Sequence, residues 1–220
     1  MTQALRAMAT LRARGLHATP THLLVRAAAL ALQRHPDTHR LVCGYRAICP
    51  GRVDIGLSVA GQTSYAPVLV IQDAGRKRLS DLVPEIIHGV AEARRKESED
   101  LRGMRRTGWV IPWGVLRRLI LRWLYRSFWF RRRLAGTFQV TCLNNVDQAF
   151  PLAFYTGSAL AMGRVTDRVV ALGGAPVVRP MAWLTLALDH KALDGRMASR
   201  LLNAVREILE GEELVQEASL

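Results

Sequence analysis

Cysteine is scarce in this chain: three in 220 residues, Cys43, Cys49 and Cys142. The number is odd, there is no CxxC pair and no Cys/His ligand spacing, so neither a disulfide framework nor a zinc site is expected, and no other metal is expected either. Such usage fits a reducing compartment. Linker-like Gly/Ser/Pro stretches are also missing, and half of the residues are apolar, enough for one filled core. A single domain over 1–220 is therefore expected. The first residues, MTQALRAMATLRARG, hold spread charges and no apolar run of signal-peptide length. Export by that route is not expected, and a cytoplasmic location is. The last deficit is local: between Leu101 and Val146 there are ten arginines and no Lys, Asp or Glu. That segment accounts for ten of the net charge of +13 and leaves +3 for the rest.

One stretch, Met181 to Glu210, carries the most specific chemistry. Leu184, Leu186, Leu188 and His190 share one face at period two, which predicts a buried strand. From Arg196 the spacing changes: Met197, Leu201, Val205, Ile208 and Leu209 follow a helical period, and Gly211 closes the helix. His190 thus falls where the strand ends, with Asp194 and Gly195 in the turn that starts the helix. An imidazole titrates nearest neutrality and can take a proton from a thiol or hydroxyl. On composition alone, a histidine beside an aspartate is more often a satisfied polar pair.

The rest of the chain alternates helical and β-rich runs. Helices are expected at Thr2–Arg14, at Thr21–His35 after the start signal of Thr19 and Pro20, and at about Leu79–Lys96. Short strands are expected at Leu41–Cys49, Arg52–Ala60, Pro67–Ile71, Thr137–Leu143, Ser158–Val165, Val169–Leu172 and Val177–Arg179, with a turn at Gly173 and Gly174. His22, His35 and His39 read as surface or capping residues, and His88 as solvated. Arg76 and Lys77, with Asp73 near a helix start, suit an anion or only finish the surface.

The stretch LALDHKALDGRMASRLL resembles the HxxxDG region of the acyltransferase catalytic domain of 2-oxo acid dehydrogenase complexes, the dihydrolipoamide acyltransferases, whose fold is shared with chloramphenicol acetyltransferase. The likeness extends through TPTHLLVRAAALALQRHP, VDIGLSVA, APVLVIQDAGRKRLSDL, GTFQVTCLN and ALAMGRVTDRVV, in the family's order and roughly its spacing. It implies an α/β fold of the chloramphenicol acetyltransferase type, a two-layer sandwich in which helices pack on one face of a mixed β-sheet. It implies His190 as general base, Thr141 as donor to the tetrahedral oxyanion, and Asp194 either ordering the turn or touching the reacting centre. Gly195 is expected where a side chain would intrude on the pocket. Acyl-CoA is the implied substrate, with a CoA phosphate against Arg76 and Lys77, and a homotrimer is the implied assembly, with the pocket between subunits. The matched blocks leave no room for a lipoyl or subunit-binding module, so no lipoyl group is expected in this chain.

Two departures stand out. The family has a further helix and strand before the helix expected at Thr2–Arg14, so the chain is either a shortened member or begins upstream of Met1. At about 104–134 it carries an insertion, RRTGWVIPWGVLRRLILRWLYRSFWFRRR, with four of the five tryptophans and Arg118, Arg122 and Arg126 at every fourth residue. Its longest uncharged run, Thr107–Leu116, is too short to span a bilayer. Arginine beside Trp, Leu and Phe is the composition of a helix lying in a membrane interface. Packing on a partner subunit is the second reading, and nucleic acid the least favoured. The expected function is acyl transfer from a CoA or carrier-protein thioester to a thiol, hydroxyl or amine, near a membrane surface and peripheral to the inner face of the cell membrane. The alternatives are an accessory dihydrolipoamide acyltransferase core and a non-catalytic scaffold.

Overall fold

The computed structural model describes the backbone of residues 1–61, 66–110, 114–153 and 156–220, and their side chains except at 98, 100–110 and 115–117. The chain opens with α1 (Thr2–Ala13) and α2 (Pro20–Arg34). Pro20 lacks the N–H that a first turn leaves unpaired anyway, and the Thr19 N–H donates to His22 Nδ1 at 2.9 Å. α2 is dense in Leu and Ala, and ten of its fifteen residues are buried, which makes it the central rod of the helical layer.

A 3-10 turn at Pro36–Thr38 leads to β1 (Leu41–Cys43) and β2 (Arg46–Ile48). Leu41–Cys49 is thus a small antiparallel hairpin and not one strand. Gly44 makes the reversal possible, because its φ of +67° lies in the left-handed region. The next strand is shorter than expected, β3 at Ile55–Ser58, followed by β4 at Val68–Ile71.

α3 runs from Leu79 to Val110, well past the expected end at Lys96, since EARRKESED holds good helix formers and the Glu92–Lys96 pair spans one turn. α4 (Gly114–Arg126) and α5 (Phe128–Ala135) follow, then β5 (Phe138–Cys142), β6 (Ser158–Met162), β7 (Thr166–Leu172), β8 (Ala175–Met181) and β9 (Leu184–Leu188). α6 (Gly195–Glu210) and a short α7 (Glu213–Ser219), which no expectation covered, close the chain.

Five strands form one sheet in the order β4-β3-β5-β6-β9. β3, β5 and β6 are parallel neighbours, and β4 and β9 flank them antiparallel. Period-two alternation decides the two faces. Phe138, Val140, Leu160 and Met162 join Leu24, Leu32, Leu201 and Ile208 in the core between sheet and helices, while Gln139, Thr141 and Ala159 belong to the opposite face. The architecture is therefore the mixed sheet with helices on one face that the resemblance implied. β7 and β8 make a separate hairpin around Gly173 and Gly174, both at positive φ, and Val169, Leu172 and Val178 on it are exposed.

His39 departs from its surface reading. It is 4% exposed, carried inward with Thr38 by the 3-10 turn, and burial pushes its pKa from the ordinary 6.5 down to about 4. A histidine held neutral inside binds fewer protons folded than unfolded, so its contribution is present above pH 6.5 and is lost as pH falls toward 4. Urea unfolding at stepped pH is expected to show stability declining across that window by up to about 1.4 kcal/mol per pH unit. His39→Gln should flatten the decline. An unchanged slope in that variant would assign the acid sensitivity elsewhere.

Candidate active site

β9 hydrogen-bonds along β6 through Leu188 opposite Ser158, and the Asp189 N–H donates to Gly157 O at 2.8 Å, so the strand is pinned to its end. The chain then turns sharply: Ala192 and Leu193 N–H groups return to Asp189 O at 2.8 and 3.1 Å, and the Asp189 carboxylate accepts from Lys191 N–H at 3.0 Å. Ala192 and Leu193 are buried beneath this turn. His190 stands on its outer side, exposed to solvent. A rigid turn with its imidazole uncovered suits a group that must meet a substrate from outside the chain.

Asp194 has its own task. Its backbone is extended, and its carboxylate accepts from Met197 N–H at 2.7 Å as the N-cap of α6. The negative charge also faces the positive end of the helix dipole. Asp194→Ala is expected to cost about 1 kcal/mol, read as a lower urea midpoint, with Asp194→Asn restoring most of it. Equal stability of the alanine variant would deny the capping role. At Gly195 a Cβ would meet nothing within 4 Å. The expected clash with the pocket is thus absent from the single chain.

Thr141 lies near the end of β5 on the sheet face away from the helices, half-buried. It helps line a groove of about 350 Å³ with Ser58, Val68, Gln139, Phe150 and Leu152. Phe150 and Leu152 are 77% and 68% exposed, so the groove has one apolar, uncovered wall. On the neighbouring residue, burial pushes the Cys142 thiol above its ordinary pKa, which makes it a poor nucleophile at neutral pH.

One chain does not bring Thr141 and His190 together. Thr141 pairs with Ala161, and Ala161 with Thr185, while His190 lies five residues beyond Thr185. At about 3.3 Å per residue the two sites are on the order of 15 Å apart along the strands alone. β5 and β9 run in opposite directions, so their C-terminal ends fall at opposite ends of the sheet.

Arg76 and Lys77 lie on the helical side. Lys77 Nζ reaches both oxygens of Glu85 at 2.7 Å, and Arg76, its side chain 82% exposed, is 3.8 Å from Asp73. The start of α3 is also occupied, since Leu79 N–H donates to Glu217 Oε1 at 2.8 Å. Among the described residues no group of three potential metal ligands gathers.

Sequence reasoning missed the buried charges that tie these parts together. Arg26 meets Glu217 at 3.0 Å and Gly75 O at 2.9 Å, joining α2, α7 and the loop before α3. Asp54, inside the apolar run VDIGLSVA, is 1% exposed and meets Arg132 of α5 at 2.5 Å. A charge within an apolar strand pattern was the available signal for Asp54.

The family described as 2-oxoacid dehydrogenases acyltransferase (catalytic domain) matches residues 1–107 and 136–216. Among curated proteins, the chain is 28% identical over 205 residues to the dihydrolipoyllysine-residue acetyltransferase component of the acetoin cleaving system of Bacillus subtilis, covering 89% of this chain and 42% of that one. It is 25% identical over 186 residues to a mitochondrial dihydrolipoyllysine-residue succinyltransferase component of the 2-oxoglutarate dehydrogenase complex of Arabidopsis thaliana, covering 84% and 34%. The chain thus spans less than half the length of either relative. Among solved structures, a dihydrolipoamide acetyltransferase of Azotobacter vinelandii superposes with a TM-score of 0.70 at 19% identity, covering 97% of this chain and 76% of that one. A probable dihydrolipoamide acetyltransferase of Listeria monocytogenes gives 0.70 at 20%, covering 93% and 75%.

Proposed function

We infer the activity from the family: the chain belongs to the 2-oxoacid dehydrogenase acyltransferases (catalytic domain), and we propose that it moves an acyl group from a CoA or carrier-protein thioester to a thiol, hydroxyl or amine. The observation that carries this reading is the β9–turn–α6 unit, which holds His190 rigid and uncovered within a matched block. In this reading the imidazole takes the proton of the acceptor as the acceptor attacks the thioester carbonyl. The tetrahedral oxyanion takes a hydrogen bond from the Thr141 hydroxyl, and collapse expels the thiolate of the donor, which receives the proton from the imidazolium. Transfer is direct, and no acyl-enzyme forms.

Because a single chain holds Thr141 and His190 at opposite sheet ends, the site of this proposal is completed by two chains. A homotrimer is the assembly we assign, with the apolar Val169, Leu172 and Val178 of the β7–β8 hairpin as candidates for the contact. The proposal sets the work at a membrane surface, with an amphipathic acceptor, on the strength of the arginine- and tryptophan-rich segment. The location we propose is the cytoplasm, peripheral to the inner face of the cell membrane. Arg76 and Lys77 remain the proposed contacts for a CoA phosphate, which would have to compete with Asp73 and Glu85 for them. The deciding experiment is thioester turnover by purified protein with acyl-CoA and a pool of thiol, alcohol and amine acceptors, beside His190→Ala. Equal rates would end the catalytic reading and leave the scaffold.

A further inference from the structure

We propose that the exposed side of α4 and α5 is a docking surface for an anionic lipid bilayer, on which the helix pair lies flat. The inference rests on the location half of the proposed function and is independent of its chemistry. α5 is fixed to the body from below: Arg132 enters the buried pair with Asp54, and Arg131 donates to Val42 O. Arg126, at the end of α4, stacks 4.9 Å over the Tyr45 ring of the β1–β2 hairpin. These anchors set which side of the pair faces out.

What they leave outward is apolar and large. Trp123 is 71% exposed, Trp129 76% and Leu119 58%, with Ile120 beside them. Leu119, Ile120 and Trp123 fall on one arc of α4, and Arg118 and Arg122 on the adjoining arc, both exposed. No helix among the described residues is long and apolar enough to cross a membrane. An arc of indole and leucine bordered by arginine suits the boundary between headgroups and acyl chains, where the rings enter the apolar layer and the guanidinium groups stay with phosphates. The charge selects the occupant. Arg118, Arg122 and Arg133 are exposed, in a sequence that holds ten arginines and no carboxylate between Leu101 and Val146; such a surface complements anionic headgroups, and a protein partner would have to bring an acidic rim of its own.

Vesicle flotation tests this with the whole chain, after nuclease treatment. Vesicles of phosphatidylcholine alone are compared with vesicles that also contain phosphatidylglycerol, at low and high salt. The wild-type protein is expected to float with the anionic vesicles, less so at high salt. Arg118→Glu with Arg122→Glu should weaken partitioning by on the order of a hundredfold, since each cation at such a surface contributes several-fold. Trp123→Ser with Trp129→Ser should abolish flotation at either salt. All these side chains are exposed, so thermal midpoints and turnover with a soluble acceptor should not change, which separates this result from failure of the catalytic reading. Absent flotation of the wild type, flotation of either double variant equal to that of the wild type, or indifference to phosphatidylglycerol would each overturn the proposal. So would dissociation of a wild-type oligomer by the tryptophan double variant without any lipid binding, or displacement of bound vesicles by added RNA.

Discussion

Replacing His190 with alanine is expected to lower thioester turnover by about 10²–10⁴-fold, the range of a lost general base. Thr141→Val, which keeps the β-branched shape but removes the hydroxyl, is expected to cost about 10²–10³-fold as the loss of one oxyanion donor. Neither change should unfold the chain, because the imidazole is exposed on a turn held by backbone and Asp189 hydrogen bonds, and Thr141 packs only half-buried on the sheet's open face. The sharper result comes from mixing them. If each site takes its histidine from one subunit and its threonine from the next, unfolding and reassembling equal amounts of the two dead variants places an intact pair at some junctions. Random assembly around a closed ring gives about a quarter of the sites both groups. Turnover should therefore rise from background to about a quarter of wild type. Two inactive proteins that stay inactive after joint refolding, while wild type recovers in the same protocol, would remove the two-chain site.

How far the sequence carried depended on whether a feature was local. The change from period two to a helical period across His190 located β9 and α6 to within a residue or two, because each element buries one face and repeats it. The Gly173–Gly174 turn and the Pro20 helix start were equally visible, since each needs a particular backbone conformation. The β1–β2 hairpin was hidden in one apolar run whose only mark was Gly44. His39 looked like a surface residue because Pro36 and Asp37 mark a turn without saying which way it carries the residue that follows.

The candidate site divides the same way. Residue type and spacing picked out His190 with Asp194, and only the family resemblance pointed to Thr141; neither gave Asp194 a single role until its bond to Met197 N–H identified it as the cap of α6. Spacing also said nothing of distance between His190 and Thr141. That follows from β5 lying parallel to β6 while β9 opposes it, a matter of strand order and not of any residue. Arg76 and Lys77 were visible as charges, but their carboxylate partners Asp73 and Glu85 were not.

Asp54→Ala is the substitution expected to cost most stability. The carboxylate accepts from Arg132 at 2.5 Å, from the Asp73 N–H at 2.9 Å and from the partly exposed Arg52 at 3.2 Å. Its main chain is equally engaged: Asp54 O accepts from Thr137 N–H at 2.7 Å, and Asp54 N–H donates to Thr137 Oγ1 at 3.0 Å. One residue thus joins the start of β3, the loop after β4, the end of α5 and the start of β5, the strand that bears Thr141. Gly136 allows the chain to pass here, at φ +73°, where a Cβ would come within 2.5 Å of Asp54 O. Removing the carboxylate strands the Arg132 guanidinium, only 17% exposed, without its partner. Breaking such a pair from one side costs about 3–5 kcal/mol, whereas the exposed Arg52 contact adds little. Arg132→Met alone should fall in the same range. The double variant Asp54→Ala with Arg132→Met should lose much less than the two single losses added, since no charge is then left buried. Urea midpoints of the four proteins close the cycle. A cost below about 1 kcal/mol for Asp54→Ala, or strictly additive losses, would mean that the pair is not what holds α5 to the sheet.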